Sequence, residues 1–380
     1  MNIKEVAEVR RHIRRDRSNM TAIYGCYVND DKQIISEFRS STGMMSENEG
    51  DKYFGLLRKT LSGTIGKHLI DISFKTSQVM DSPEHKLLMG LRQSSLADEA
   101  LRTEFYQKVI ETVSLDQAYL ILLGCDTYDV PFKKDSSGED SDESYKFLLC
   151  AICPVKLTKA TLHYVPEEKL FHDGGITNVV GSPELGFLFP AFDNRATNIY
   201  NALYYTRSVK QSHEAFVDRI FHTPIPKPAE AQRKSFEAIL SNALAEECSM
   251  EVVQSVHEQL AQRIALHKES KVAEPLLICK EDVTEVLTGC GITDARMAKF
   301  SVDYDEAFGF EAPVHPKNII DEKKFVIKTQ DVSIKVAPDR TDLIETRVIG
   351  GVKYILINAE EDVEVNGVSI RIHDGNALPV

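Results

Sequence analysis

"AYLILLGC" (Ala118–Cys125) is the longest near-continuous apolar run in the chain, and "KFLLCAIC" (Lys146–Cys153) has the same character. The first run falls far short of the roughly 18 residues that a membrane span requires. Short apolar runs bounded by turn signals read instead as deeply buried strands. Cys150 and Cys153 have the spacing of a redox or zinc pair. Residues three apart on a strand point to opposite faces, however, and no second pair completes a four-ligand zinc site. The thiols therefore read as core packing.

Working outward, the first 16 residues read as a helix with Ile3, Val6, Val9 and Ile13 near one side and Lys4, Arg10, Arg11, Arg14 and Arg15 on the other. "TAIYGCYV" and "QIISEF" flank the polar turn "NDDK" as a hairpin. Ser46 and Glu49 form a capping box for the next helix, and Ser82-Pro83 opens another with proline at its first position. A further helix is expected over 98–114, and a hairpin around "HYVPEEKLF". "TPIPKP", Thr223–Pro228, is an extended connector to two long helices near 229–246 and 250–269. A shorter helical piece lies near 281–307, and from Asn318 the pattern turns to period two, with Gly350-Gly351 and Asn366-Gly367 at tight hairpin turns. The fold class expected is α+β: a mixed domain over 1–222, a helical region over 229–308 and a C-terminal antiparallel β meander over 318–380.

The balance of 45 Lys plus Arg against 58 Asp plus Glu gives a net charge of -13, which argues against a protein that coats nucleic acid broadly, because such binding rests on phosphate neutralisation. Positions 4–17 are the exception, with six basic and three acidic residues. Arg10, Arg11, Arg14 and Arg15 are accordingly the candidate contact for a polyanionic partner, against the simpler alternative of a solvated or internally paired face. The start "MNIKEVAEVRR" has no apolar signal core, and the seven cysteines are scattered, so a cytoplasmic protein with reduced thiols and no membrane segment is expected.

"LSGTIGKHL", Leu61–Leu69, superficially resembles a phosphate loop. A nucleotide loop needs Gly, four residues, then Gly-Lys-Ser/Thr. Leu61 stands at the first glycine's place, His68 at the hydroxyl's, and the order is helix to strand. Gly63 and Gly66 thus read as a turn, with a modest anion site at Lys59, Ser62 and Lys67 as the alternative. In "GFLFPAFDNRATNIYNALYY", Asp193 or Asn194 is expected to cap an amphipathic helix with Arg195 in its first turn, paired at the surface, with an anion pocket of Asp193, Arg195 and Thr197 as the alternative. Asp126 and Asp129 sit where the first buried strand exits; they read as a solvated turn, or as carboxylates for metal-assisted hydrolysis. "KKDSSGEDSDES", Lys133–Ser144, lacks the glycine and glutamate register of a calcium loop and reads as a solvated loop. "HEAFV" and "HEQLA" lack the second histidine of a zinc-protease helix. No dinucleotide fingerprint or nucleophile elbow stands in the sequence.

"EVAEVRR", "IYGCYV", "RKTLSGTIGKHL", "YLILLGCDTYDVP", "LLCAICPVKLTK", "ELGFLFPAFDNRATNIYNALYYTR" and "DLIETRVIGGVKYILI" together resemble a bacterial domain-of-unknown-function family, number forty-three-seventeen, collinearly to about residue 372. The resemblance implies a bacterial cytosolic setting and transfers no activity, cofactor or catalytic residue. The expectation is a non-catalytic binding or regulatory protein for a protein or polyanionic partner. The alternative is a metal-dependent phosphate-ester hydrolase or nuclease using Asp126, Asp129, Asp193 and Arg195.

Overall fold

The computed structural model describes residues 1–131, 144–211, 213–270, 272, 274–309, 313–322, 324–359, 363–365 and 367–370. Of the acidic stretch expected as a solvated loop, Lys133–Ser144, all but Ser144 lies outside the described residues, as does Asn366. The chain forms two compact units, one over Met1–Pro228 with the short segment 273–275, the other over the remaining residues from Ala229.

The first unit is built on one antiparallel sheet. Its strands are β1 (Ala22–Val28), β2 (Ile34–Ser41), β3 (Leu69–Ser73), β4 (Tyr119–Asp129) and β5 (Ser144–Leu157). After β5 come β6 (Leu162–Val165), β7 (Leu170–Asp173), β8 (Asn178–Val180), β9 (Leu185–Phe189), β10 (Ala191–Asp193), β11 (Ala196–Asn198) and β12 (Asn201–Thr206). The sheet order is β2-β1-β4-β5-β9-β12-β3, with β8 added to the end of β5. Both apolar runs quoted at the outset are central strands, and their side chains alternate between two cores. Ile121, Leu123, Leu148, Cys150 and Ile152 enter one core. Leu120, Leu122, Phe147, Leu149 and Cys153 enter the other. The two cysteines therefore part company across the sheet, as the period of two requires.

A sheet that is apolar on both faces must be covered on both. One face is covered by α4 (Pro83–Gln93), α5 (Glu99–Thr112) and α6 (Glu214–Phe221), with α3 (Thr76–Asp81) leading into them. The other is covered by α1 (Ile3–His12) and α2 (Glu47–Lys59), through Val6, Val9, Ile13, Phe54 and Leu57. Each fully buried side chain of this kind contributes about 1.5–3 kcal/mol. The helices start where their caps dictate. The Ser46 hydroxyl accepts from the Glu49 amide, the Ser82 hydroxyl from the His85 amide ahead of Pro83 at the first position, and the Asp98 carboxylate from the Leu101 amide.

Two expectations are corrected. "FDNRATN" is not the capped start of a helix: β10 and β11 pair as a hairpin with Asp193 opposite Ala196. Asn194 and Arg195 form its two-residue turn at φ 51° and 63°. Two successive positive φ values are what such a hairpin turn demands, and asparagine tolerates them. The following "NALYYT" is β12, because Ala202 and Tyr204 enter one core while Leu203 and Tyr205 enter the other. Asp126 is likewise not in a solvated turn. Strand β4 continues through it, Asp126 pairs in register with Phe147, and the residue is 2% exposed.

Between α2 and β3, Gly63 and Gly66 have φ 109° and 78°, and the Gly66 amide donates to the Leu69 carbonyl at 2.7 Å. The stretch is a chain reversal, as expected.

In the second unit α7 (Ala229–Leu244) and α8 (Met250–Ser270) share a core with α9 (Lys280–Gly289), α10 (Asp294–Phe308) and α11 (Pro316–Ile319). Of the apolar positions at helical spacing in these two long helices, Phe236, Ile239, Leu240, Leu244, Val252, Val256, Leu260 and Ile264 are buried there, while Val253 is only half-buried. Among the described residues the C-terminal strands pair antiparallel two by two: β13 (Phe325–Lys328) with β14 (Ser333–Val336), β15 (Ile344–Ile349) with β16 (Val352–Ile357), and β17 (Val363–Val365) with β18 (Val368–Ile370). Gly350 and Gly351 turn the middle one with φ 60° and 84°. Among the described residues no helix is long and apolar enough to cross a membrane.

Two measurements check this packing. A Cβ at Gly186 would lie 2.2 Å from the Cys150 carbonyl oxygen of the adjacent strand and 2.8 Å from a Thr60 methyl. Gly186→Ala is expected to destabilise the protein by about 1–3 kcal/mol in urea unfolding; an unchanged midpoint contradicts the close approach. His85 is buried against Phe74 and Phe189, and its Nε2–H donates to the Ile199 carbonyl at 2.9 Å. Burial holds its pKa below the ordinary value near 6.5, and the same holds for His213. The unfolded chain then binds protons that the folded chain refuses, so stability is full above about pH 6.5 and declines as pH falls below it. His85→Gln is expected to flatten that decline in a series of melts from neutral to acid pH; an identical profile contradicts it.

Candidate anion-binding site

Helix α1 is held against the sheet by buried polar contacts as well as by Val6 and Val9. The Glu5 carboxylate accepts from the Asn2 amide at 2.7 Å and from the Asn194 amide at 2.9 Å. Burial raises its pKa and the nearby Asp193 adds to this, while those amides and the Met1 amino group oppose it. The Met1 amino nitrogen lies 2.9 Å from Asp71 and 2.7 Å from Asp193. The other Asp193 oxygen accepts from the Asn198 and Asn201 side chains at 3.0 and 3.2 Å.

Midway along the helix, both Glu8 oxygens accept from Arg195 Nη1 at 2.6 Å, and one also accepts from the Tyr128 hydroxyl at 2.9 Å. Burial, with Glu8 beside it, pushes the Tyr128 hydroxyl up to about 12. The second Arg195 Nη donates to the Pro131 carbonyl at 2.6 Å. At the C-terminal end, His12 Nε2 lies 3.2 Å from Asp126 Oδ2, off the line of a good hydrogen bond, and the imidazole packs 4.7 Å from the Tyr128 ring. Asp126 accepts from the Ser18 hydroxyl at 2.6 Å, the Asn19 amide at 2.9 Å and the Thr127 amide at 2.8 Å.

With its buried side fixed, α1 presents its arginines outward. Arg10 and Arg11, with Arg14 from the turn just beyond the helix, line a shallow depression of about 380 Å³ together with Ala7 and with Arg58 from the last turn of α2. Arg14 pairs with Asp16 at 3.1 Å, and Arg11 Nε donates to the Ala7 carbonyl at 3.1 Å. Among the described residues, Arg10, Arg11 and Arg58 have no carboxylate partner. Arg15 turns away and pairs with Glu47 at 3.1 Å, its side chain lying against Gly50. Arginine near a helix C-terminus gains about 0.3–1 kcal/mol from the dipole, which accounts for Arg10, Arg11 and Arg58 one at a time. It does not account for two helix ends converging on one hollow, where like charges repel until an anion enters.

The other candidate residues are dispersed. Lys59 Nζ donates to the Ser182 hydroxyl at 2.9 Å, and the Ser62 hydroxyl donates to the Lys59 carbonyl at 2.5 Å. Lys67 is exposed in the turn beyond. Arg195 and Thr197 line a different depression, of about 240 Å³, with Val130, Ser144, Tyr145 and Ala196, while Asp129 is exposed at the end of β4. Asp126, Asp193 and Arg195 thus serve three separate anchor points of α1. Among the described residues no group of three or more His, Cys, Asp or Glu side chains is placed to hold a metal ion. Arg58 is the lining residue that the sequence reading missed. Its position one turn beyond Phe54 was legible, but the neighbouring helix it faces was not.

The family resemblance is confirmed: the chain belongs to the family described as Domain of unknown function (DUF4317), whose model matches residues 1–368. No curated protein matches the chain.

Asp126→Ala removes the acceptor of two amides and a hydroxyl and strands His12 in the interior. Leaving buried donors without their acceptor costs about 1–3 kcal/mol, read as a fall in the chemical-unfolding midpoint. A loss no larger than that of a surface aspartate such as Asp129→Ala contradicts the anchoring role.

Proposed function

We propose that this is a non-catalytic binding or regulatory protein of the bacterial cytoplasm, which takes up a phosphate-bearing polyanion in the arginine depression of α1 and α2. One observation supports the reading above all. In a chain of net charge -13, three of four clustered guanidiniums have no carboxylate partner among the described residues. Guanidinium forks match two oxygens of a phosphate and hold their charge at every physiological pH. The shallow hollow suits an extended backbone more than an enclosed small molecule. The surrounding negative charge limits the contact to a few phosphates, which fits local docking instead of coating. The hydrolase alternative needs Asp126, Asp129, Asp193 and Arg195 around one reacting centre, and no feature of the site favours it.

The test is fluorescence anisotropy with a short labelled single-stranded oligonucleotide across a salt series. For single strands each neutralised phosphate contributes about 0.7 to the slope of log affinity against log salt. Arg10→Ala/Arg58→Ala is expected to weaken binding for every sequence alike and to reduce the slope by about 1.4. Absence of binding at low salt, or an unchanged slope in the variant, contradicts the proposal.

A further inference from the structure

Strand β5 outruns its neighbour β4, whose pairing ends at Pro154. Beyond that point Val155–Leu157 pair with β8, the Val155 amide still donating to the Ala118 carbonyl at 2.7 Å on the other side, and the Thr158 amide donates to the Thr177 carbonyl at 2.9 Å. The Gly174 amide donates to the Thr161 carbonyl at 2.9 Å, and β6 pairs with β7 from Leu162–Asp173 to Val165–Leu170. The result is one two-stranded ribbon from Val155 and Val180 to a turn at 166–169. At about 3.3 Å per residue it extends roughly 30 Å.

Such a ribbon is at best marginally stable in water without a covering layer, yet this one is apolar and exposed. Leu162 is 70% and Phe171 65% exposed, and Leu157, Tyr164, Leu170 and Ile176 are exposed as well. The register puts Leu162, Tyr164 and Phe171 on one face, where the Tyr164 and Phe171 rings lie 5.2 Å apart. Lys156 and Lys159 lie at the base, Lys156 on the same face as Leu162, and the tip at 166–169 carries Glu167 and Glu168 against one basic residue, Lys169, so the base is basic and the tip net acidic. Glu168 additionally holds His172 at 2.7 Å.

We infer that this ribbon is the self-association surface of the protein, covered by the same ribbon of a second copy running antiparallel across a two-fold axis near Leu162. A two-fold contact is self-complementary, so the apolar face meets itself. The antiparallel arrangement then sets the acidic tip of each arm over the basic base of the other, whereas a parallel one would oppose like charges. The inference is independent of the arginine depression, which lies on α1 and α2.

Sedimentation velocity of the full chain over a wide concentration range tests it. The wild type is expected to be a dimer, and Leu162→Asp/Phe171→Asp a monomer with unchanged circular dichroism and melting. Lys156→Glu/Lys159→Glu is expected to lose the dimer at low salt, and adding Glu167→Lys/Glu168→Lys to recover it, a rescue that does not depend on the core variant folding. A monomeric wild type, a dimer indifferent to Leu162→Asp/Phe171→Asp, or charge reversals without rescue would each overturn the inference. A monomer whose ribbon binds lipid vesicles or an unrelated protein overturns it too, since something else then covers the face.

Discussion

A strand with apolar side chains on both faces leaves no side of its sheet free to meet water. That constraint, set by Tyr119–Leu123 and Phe147–Cys153, decides the first unit. Antiparallel sheets often keep one face wet. Here α4, α5 and α6 cover one face, and the second face must recruit helices from the start of the chain. The position of α1 follows from the sheet's chemistry more than from any helical propensity of its own.

The polar contacts refine what the apolar ones begin. Val6, Val9 and Ile13 fix which side of α1 is buried; Glu5, Glu8 and His12 fix where along the sheet it lies. Glu8 with Arg195 is a half-buried charged pair and His12 with Asp126 a buried polar contact, and such contacts add more to register than to stability. The outcome is that Arg10, Arg11 and Arg14 are held in place on the exposed side, beside Arg58. A basic helix on a loose tether would average its charge over many positions. A basic helix locked at three points offers a fixed pattern of guanidiniums, at less ordering cost when a ligand arrives.

Much of this was legible in the sequence, and the limits have physical causes. Short-range rules carried well: the cap residues Ser46 and Ser82, the proline at position 83, the glycine reversal at Gly63 and Gly66, and the period of two that separates Cys150 from Cys153. The hairpin at Asp193–Ala196 was misread because Asp-Asn-Arg is as good a helix cap as it is a turn, and only pairing with distant strands chooses between them. Asp126 was misread because an aspartate near a strand end is usually wet. Its burial depends on Ser18, Asn19 and His12, more than a hundred residues away in the chain. Arg58 needed the packing of two helices to become part of a site. The basic stripe itself was visible, but Arg15 belonged to a different contact.

The arginine side-chain Nε–H resonances report the central claim most directly. On titration with a short oligonucleotide, the account predicts that the signals of Arg10, Arg11, Arg14 and Arg58 shift together and saturate together, while those of Arg15 and Arg195, already bound to Glu47 and Glu8, stay in place. Shifts confined to other arginines, or none at any ligand concentration in low salt, would contradict it.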